Sequence, residues 1–152
     1  MDLDNVAVVS KVGSKEAEDA AKKVAKKLIG RKITVHTVSP VLVEGAKKVD
    51  ELEDLKTAKL DLTITLGGDG TTLRTFRYLE NETPNLAINV GGNRGILSEI
   101  TMPEIDAAIE QIISGNILLD KRIRVVASCA GQEFPPALNE IYVNRQRRNL
   151  LL

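Results

Sequence analysis

Leu62-Thr63-Ile64-Thr65-Leu66-Gly67-Gly68-Asp69-Gly70-Thr71 is the stretch on which the fold turns. From Leu62 to Leu66 aliphatic residues alternate with threonine, the period of a β-strand. The run stops at three glycines set around one acid. Leu73, Phe76 and Leu79 then recur at helical spacing. Strand, tight loop and helix N-terminus therefore follow one another directly. Such a junction gathers unpaired backbone N–H groups and the positive end of a helix dipole. Phosphates bind there. Gly67, Gly68 and Gly70 let the backbone approach a phosphate with no Cβ in the way. Thr71 is placed to cap the helix or to donate to a phosphate oxygen.

Asp69 is the odd member of this loop, because a carboxylate repels phosphates. One reason for it is chemical: a general base for a hydroxyl nucleophile, or an outer ligand of a phosphate-bound magnesium ion. The other is a turn, since Asp-Gly is a common turn pair and Asp caps helices. Between a strand and a helix, the full Gly-Gly-Asp-Gly-Thr favours the chemical reading. No Gly-Lys-Ser/Thr follows, and the pattern is not G-x-G-x-x-G, so neither the Walker loop nor the dinucleotide fingerprint is present.

Working outward, Val6 to Val9 reads as a buried strand. Lys11 to Ser14 forms a loop with Ser14 as N-cap, and the helix beyond has Ala17, Ala20, Ala21, Val24 and Leu28 on one face. Glu18 with Lys22 and Asp19 with Lys23 are supporting i,i+4 pairs, and Gly30 is placed to end the helix. Lys32 to Val38 reads as a second strand, broken by Pro40. Its histidine, His36, is assigned no role. Val49, Leu52 and Leu55 suggest a short helix before the central strand. On the other side, Leu86 to Val90 is a strand that also ends in glycines, Gly91-Gly92-Asn93-Arg94-Gly95. A helix spans Met102 to Ile113, with Ile105, Ala108, Ile109 and Ile112 buried and Gly115 as its stop. Alternating strands and helices predict a parallel, Rossmann-like α/β sheet with right-handed crossovers. Ligands bind such sheets at the C-terminal strand ends, where both glycine loops lie.

The pattern changes near Leu118. Ile123 to Cys129 and Leu138 to Val143 read as two strands with only a loop around Gly131 and Pro135-Pro136 between them. They suggest an antiparallel pair opening an all-β region. The expected division is therefore 1–118, an α/β nucleotide-binding domain, and 119–152, the incomplete beginning of a β domain.

With 152 residues the chain can hold one domain with a real core. Lys+Arg and Asp+Glu both number 21, which excludes a general basic field for nucleic acid. Arg145, Arg147 and Arg148 read as a solvated turn. Aromatic residues make up 3%, with no tryptophan, so base-stacking platforms are not expected. The single cysteine, Cys129, excludes an intrachain disulfide and reads as a buried thiol. No apolar run approaches the ~18 residues of a membrane span, and no signal-like start is seen. The reading is cytoplasmic, with no membrane partner.

Leu66-Gly67-Gly68-Asp69-Gly70-Thr71-Thr72-Leu73-Arg74 resembles the signature of the NAD kinases. Diacylglycerol and sphingosine kinases share its core, and phosphofructokinases carry a related one. Two further segments favour the NAD kinases. Ala87-Ile88-Asn89-Val90-Gly91-Gly92-Asn93-Arg94-Gly95-Ile96-Leu97 is similar to their second glycine segment, with Ala87 in place of a glycine and Ile96 in place of a phenylalanine. Ala137-Leu138-Asn139-Glu140-Ile141 carries their Asn-Glu pair. The resemblance covers nearly the whole chain. It implies phosphoryl transfer from ATP, or another phosphate donor, to the 2′-hydroxyl of the adenosine ribose of NAD, with magnesium arriving on the nucleotide. No protein-built metal site is expected.

The same resemblance implies Asp69 as base and Gly67, Gly68, Gly70 and Thr71 as phosphate holders. It implies Asn139 and Glu140 as dinucleotide contacts, and Asn89, Gly91, Gly92 and Gly95 as the pocket floor. It further implies a homo-oligomer, dimer or tetramer, when complete, and a larger β domain beyond Leu152. The apolar end Asn149-Leu150-Leu151-Leu152 fits a chain that continues, and the piece alone is expected to be inactive. A lipid kinase and a non-catalytic nucleotide-binding module are the alternatives.

Overall fold

The computed structural model describes residues 3–79, 82–92 and 95–143. Six parallel strands form one sheet: β1 (Asn5–Ser10), β2 (Thr34–Val38), β3 (Lys47–Val49), β4 (Leu62–Gly67), β5 (Asn85–Asn89) and β6 (Ile100–Thr101). Their spatial order is β3-β2-β1-β4-β5-β6. This is the doubly wound Rossmann order, and it reverses direction between β1 and β4. The register there runs from Val6 opposite Leu62 to Ser10 opposite Leu66. At the opposite end, the Asp61 carboxylate accepts the amides of Asp4 and Asn5, pinning the start of β1 to that of β4.

One sheet face carries the main core. Val6, Val8, Val35, Leu62, Ile64, Leu66 and Ile88 pack against α1 (Lys15–Gly30) and α3 (Ile105–Ile113). Ala17, Ala20, Ala21, Val24, Ala25 and Leu28 of α1 are buried, and the small alanines bring that helix close to the strands. Two ion pairs, Lys27–Asp106 and Arg31–Glu110, join α1 to α3 along their exposed edges. On the opposite face Ala7, Val9, Val38, Leu52 and Leu55 form a smaller cluster.

Beside that cluster, α2 (Asp69–Phe76) covers a polar seam. The threonines of β4 point there, and they are buried like its aliphatic residues. Thr65 Oγ1 shares a hydrogen bond of 3.0 Å with Thr72 Oγ1 and accepts one of 3.2 Å from Asn85 Nδ2. The alternation of β4 therefore records two kinds of buried neighbour rather than a buried and a wet face.

Several expectations need correction. Val49 does not open a helix. Lys47–Val49 is strand β3, and Leu52–Thr57 is a 3₁₀ helix fixed by a reciprocal cap between Glu51 and Asp54. The short strand β6 lacks a periodic signal and was not anticipated. After it, Met102–Glu104 is 3₁₀ rather than α, held by a Thr101–Glu104 capping box. Ser14 does cap α1, accepting from Ala17 N at 3.3 Å. However, Gly30 is the last helical residue rather than the residue beyond the cap: Arg31 is the C-cap, and Lys32 rather than Gly30 lies in the left-handed region. The surface pair formed in α1 is Lys22–Asp19, one residue closer than either pair expected.

The largest correction concerns residues after Leu118. Ile123–Cys129 and Leu138–Val143 are not continuous strands. The antiparallel pair is β7 (Ser128–Cys129) with β8 (Gln132–Glu133), turning at Ala130-Gly131. Val125 bridges Ala137 beyond them, with one extra residue on the returning arm around Pro135-Pro136. Proline lacks an N–H, so the ladder breaks there. Cys129 is exposed rather than buried; among the described residues no second sheet covers the hairpin. Among the described residues, no helix is long and apolar enough to cross a membrane. Asn93, Arg94, the arginines at 145, 147 and 148, and residues 149–152 lie outside the described residues.

Candidate active site

The two loops that leave β1 and β4 meet at the point where the strand order reverses. Lys11 N donates to Leu66 O at 2.8 Å, joining the start of one loop to the end of the neighbouring strand. Gly67 lies where these two loops approach each other. A Cβ there would lie 2.6 Å from Thr71 Oγ1 and 2.9 Å from Lys11 Cβ, so only glycine fits. Gly68 is the N-cap of α2 and supplies no side chain to the first-turn amides. Gly68 and Gly70 each face open space. A short cleft of about 360 Å³ opens over them, lined by Lys11, Val12, Gly68, Gly70, Thr71 and Arg74. Thr71 sits inside the first turn of α2, so the capping role considered for it is not observed.

Asp69 does not point into that cleft. Its carboxylate accepts two backbone amides of the second glycine loop, Ile96 N at 2.9 Å and Leu97 N at 3.0 Å. The contact is close enough that a Cβ on Gly95 would fall 2.1 Å from Asp69 Oδ1 and 2.4 Å from its Cγ. Sequence reasoning placed the two loops on one sheet edge; the structure adds that the acid of the first is the anchor of the second. Each carboxylate oxygen keeps a lone pair beyond the one these amides use. The group therefore remains able to accept a hydrogen bond from a hydroxyl.

The remaining floor residues are distributed. Asn89 lies opposite Gly67 in the β4–β5 register, and Val90 N donates to Gly67 O at 3.1 Å. Asn89 Oδ1 is buried with no hydrogen-bond partner among the described residues. Gly91 turns against the Glu16 carboxylate rather than against the first loop, and Gly92 faces open space. Ile96, in the position of the family's phenylalanine, is 89% exposed.

Asn139 and Glu140 are exposed on the hairpin arm. Among the described residues, no hydrogen bond joins them to either glycine loop. The hairpin instead meets α2 at its other end, where Arg124 donates to Phe76 O and to Leu79 O at 2.5 and 3.0 Å. A second, larger cleft of about 670 Å³ lies there between Tyr78, Arg124 and Phe134. Arg124 and Lys11 carry no motif in the sequence, and Arg74, which closes the signature stretch Leu66–Arg74, was given no role there. A signal for Lys11 was available in its position directly after a strand at a sheet's switch point. Arg74 lies one helical turn beyond Gly70.

A family model described as the ATP-NAD kinase N-terminal domain matches residues 6–117. The NAD kinase of Methanothermobacter thermautotrophicus is 32% identical over 144 residues, 93% of this chain and 50% of that protein. Among solved structures, the yeast NADH kinase complexed with NADH superposes with a TM-score of 0.71 at 20% identity, covering 89% of this chain and 46% of that one. The NAD kinase from Archaeoglobus fulgidus in complex with ATP gives 0.63 at 23%, with the same coverage. At these identities the two structures speak for the fold. This chain thus spans about half the length of the curated relatives it matches. The family model covers most of it, and the matched region contains both glycine loops and the acid between them: the chain belongs to the NAD kinase family.

Proposed function

We propose that the protein transfers a phosphoryl group from ATP, or another phosphate donor, to the 2′-hydroxyl of the adenosine ribose of NAD, giving NADP. Family membership supports the reaction class. The observation that carries the chemistry is the Asp69 carboxylate, held by two amides between two glycine loops at the switch point of the sheet. In this reading Asp69 takes the proton as the 2′-oxygen bonds to the terminal phosphorus and the donor's bridging oxygen leaves. Hydrogen bonding to backbone amides fixes the base before the substrate arrives, so no reorganisation is needed at the moment of reaction. Magnesium arrives on the donor's phosphates, its usual mode of binding in phosphoryl transfer.

The amides of Gly67, Gly68 and Gly70 receive the donor phosphates; Thr71 donates its own amide to Gly68 O at 3.0 Å and takes part through its hydroxyl. Asn89, Gly91, Gly92 and Gly95 form the floor, and Asn139 and Glu140 hold the dinucleotide from the β region. The division near Leu118, the homo-oligomer and the cytoplasmic setting belong to the same reading.

The test is NADP formation by the full-length protein and by its Asp69→Asn variant. Loss of a general base should lower turnover by ~10²-fold or more with nucleotide binding retained. No NADP with any phosphate donor, or near-normal turnover in the variant, would refute the proposal. Phosphorylation of diacylglycerol or sphingosine in its place would move the chain to the lipid kinases.

A further inference from the structure

In the proposed reaction the base and the groups that hold the acceptor come from different parts of the chain. Asp69 is the first residue of α2. Asn139 and Glu140 sit on the hairpin arm. Something must fix the distance between them, and α2 is poorly equipped to hold itself. The helices α1 and α3 bury Val24, Leu28, Ile105, Ile109 and Ile112, whereas the buried residues of α2 are three threonines, Thr71, Thr72 and Thr75. Threonine offers less apolar area than leucine or isoleucine, so burial anchors this helix weakly. Hydrogen bonds hold it at three points instead. At its start the Asp69 carboxylate accepts from Ile96 N and Leu97 N. Near its middle Thr72 Oγ1 and Thr65 Oγ1 lie 3.0 Å apart. At its far end Arg124 Nη1 donates to Phe76 O at 2.5 Å and to Leu79 O at 3.0 Å. The first two tie α2 to the sheet and its second loop; the third ties it to the hairpin. Val125, the next residue, exchanges both backbone hydrogen bonds with Ala137, each of 2.8 Å. Ala137 stands two positions before Asn139.

We propose that Arg124 is a positioning residue for phosphoryl transfer: it locks the hairpin to the C-terminal end of α2 and so sets the distance from the dinucleotide held by Asn139 and Glu140 to the base Asp69 at the other end of that helix. The proposal rests on the phosphoryl-transfer reading and adds to it a residue that touches neither substrate. A guanidinium suits this place. The last carbonyls of a helix lack intrahelical partners and carry the negative end of its dipole. Nη1 has two hydrogens in a fixed plane, one for each carbonyl, whereas a lysine ammonium turns freely on its stem. The contacts are part-buried, so salt screens them less than a surface ion pair. The helix between the two ends has eight residues and is about 12 Å long. A hydrogen-bonded rod of that length does not stretch, so a shift at Phe76 reaches Asp69. A misplacement of ~1 Å at a reacting group is enough to cost about 10²-fold in rate.

The experiment uses the full-length protein. Arg124→Met keeps an unbranched stem and removes the donors. It should lower kcat about tenfold or more and leave KM for the phosphate donor within about twofold, because a displaced base slows the chemical step and not donor binding. Arg124→Lys should bring kcat back to within about threefold of wild type. Ile109→Val, a buried change in α3, is the stability control: it should lower Tm by a few degrees and keep kcat within about twofold. In an Asp69→Asn background, Arg124→Met should cost less than about twofold more, since a helix without the base has none to misplace. The backbone amide resonances of Ile96 and Leu97 report the Asp69 carboxylate and should shift in Arg124→Met. That of Ile33, bonded to Leu28 O, should not. A kcat within about twofold of wild type in folded Arg124→Met would overturn the proposal. So would an undiminished loss in the Asp69→Asn background, or an equal loss in Ile109→Val. If the wild type forms no NADP while the Ile96 and Leu97 resonances still respond to Arg124→Met, the link stands and the kinase reading falls. Resonances that do not respond would remove the link.

Discussion

Gly95→Ala should damage catalysis although Gly95 carries no functional group. The added methyl would lie 2.1 Å from Asp69 Oδ1, 2.4 Å from Cγ and 2.7 Å from Oδ2, against 3.4 Å for ordinary contact. It meets the whole carboxylate, so no rotation of one oxygen relieves the clash. Either Asp69 or the second loop must move by more than 1 Å. The amides of Ile96 and Leu97 then lose their acceptor. Hydrogen bonds to a charged group contribute about 1.5–3 kcal/mol each. Water can replace part of that at a partly exposed site, which leaves a loss of about 2–3 kcal/mol. For a chain of this size that lowers Tm by roughly 5–10 °C. A displacement of ~1 Å at a reacting group can cost about 10²-fold in rate. Thermal unfolding and NADP formation by the full-length protein measure the two effects. Gly30→Ala is the control, because its Cβ meets nothing and α1 is already helical there; it should be neutral or slightly stabilising. Wild-type Tm and turnover in Gly95→Ala would refute the anchoring role of Asp69.

Gly68→Val should separate folding from binding. The backbone at Gly68 is extended (φ −117, ψ −172) and its Cβ direction is open, so stability should fall by no more than about 1 kcal/mol while tripolyphosphate binding drops tenfold or more. Equal affinity in a folded variant would remove the loop from phosphate binding. Arg124→Ala should lower Tm by several degrees, because the carbonyls of Phe76, at the end of α2, and of Leu79, beyond it, lose two charge-assisted hydrogen bonds, and Arg124→Lys should recover part of it. An unchanged melting curve would show that the hairpin contact contributes nothing. His36 is held below its usual pKa, first by burial and then by the charge of Lys47. The unfolded chain therefore binds more protons as pH falls below about 6.5, so that stability is full above that value and is lost as pH drops toward the folded-state pKa. His36→Gln should flatten the Tm-against-pH curve between about pH 7 and 5, and an identical slope would assign the acid sensitivity elsewhere.

The parallel sheet was legible because its long strands carry a period. Val6 to Val9, Thr34 to Val38, Leu62 to Gly67 and Asn85 to Asn89 all fall where apolar or β-branched runs predict them. The strands that escaped are short and held by neighbours rather than by propensity. Lys47–Val49 contains two exposed lysines and is a strand because β2 offers it an edge. Ile100–Thr101 pairs with only two residues of β5. The hairpin was misplaced because its apolar residues, among them Ile123, Val125 and Val126, are exposed. Periodicity reports burial, and where nothing covers a segment its register depends on the turn. Ala130 with Gly131, both at positive φ, decided that register. At the site, motif reading located the glycines and the acid. It could not tell which way Asp69 turns, since that depends on the path of Gly95 to Leu97, and it passed over Lys11, which has no motif of its own.

The orientation of Asp69 has a consequence for how its variants are read. Asp69→Asn removes the base but also disturbs the anchor: an amide oxygen can accept from one of the Ile96 and Leu97 amides, while the –NH₂ would face the other donor. A fall in turnover after this change therefore mixes two losses, a proton acceptor and a correctly placed loop. Gly95→Ala perturbs the same contact from the opposite side and leaves the carboxylate present. If Asp69 is both base and anchor, Asp69→Asn should lose more turnover than Gly95→Ala at a comparable loss of stability. If it is only an anchor, the two variants should lose turnover in proportion to their loss of stability, with no excess for Asp69→Asn. The comparison works because a single carboxylate joins the two loops, so each loop offers an independent way to disturb it.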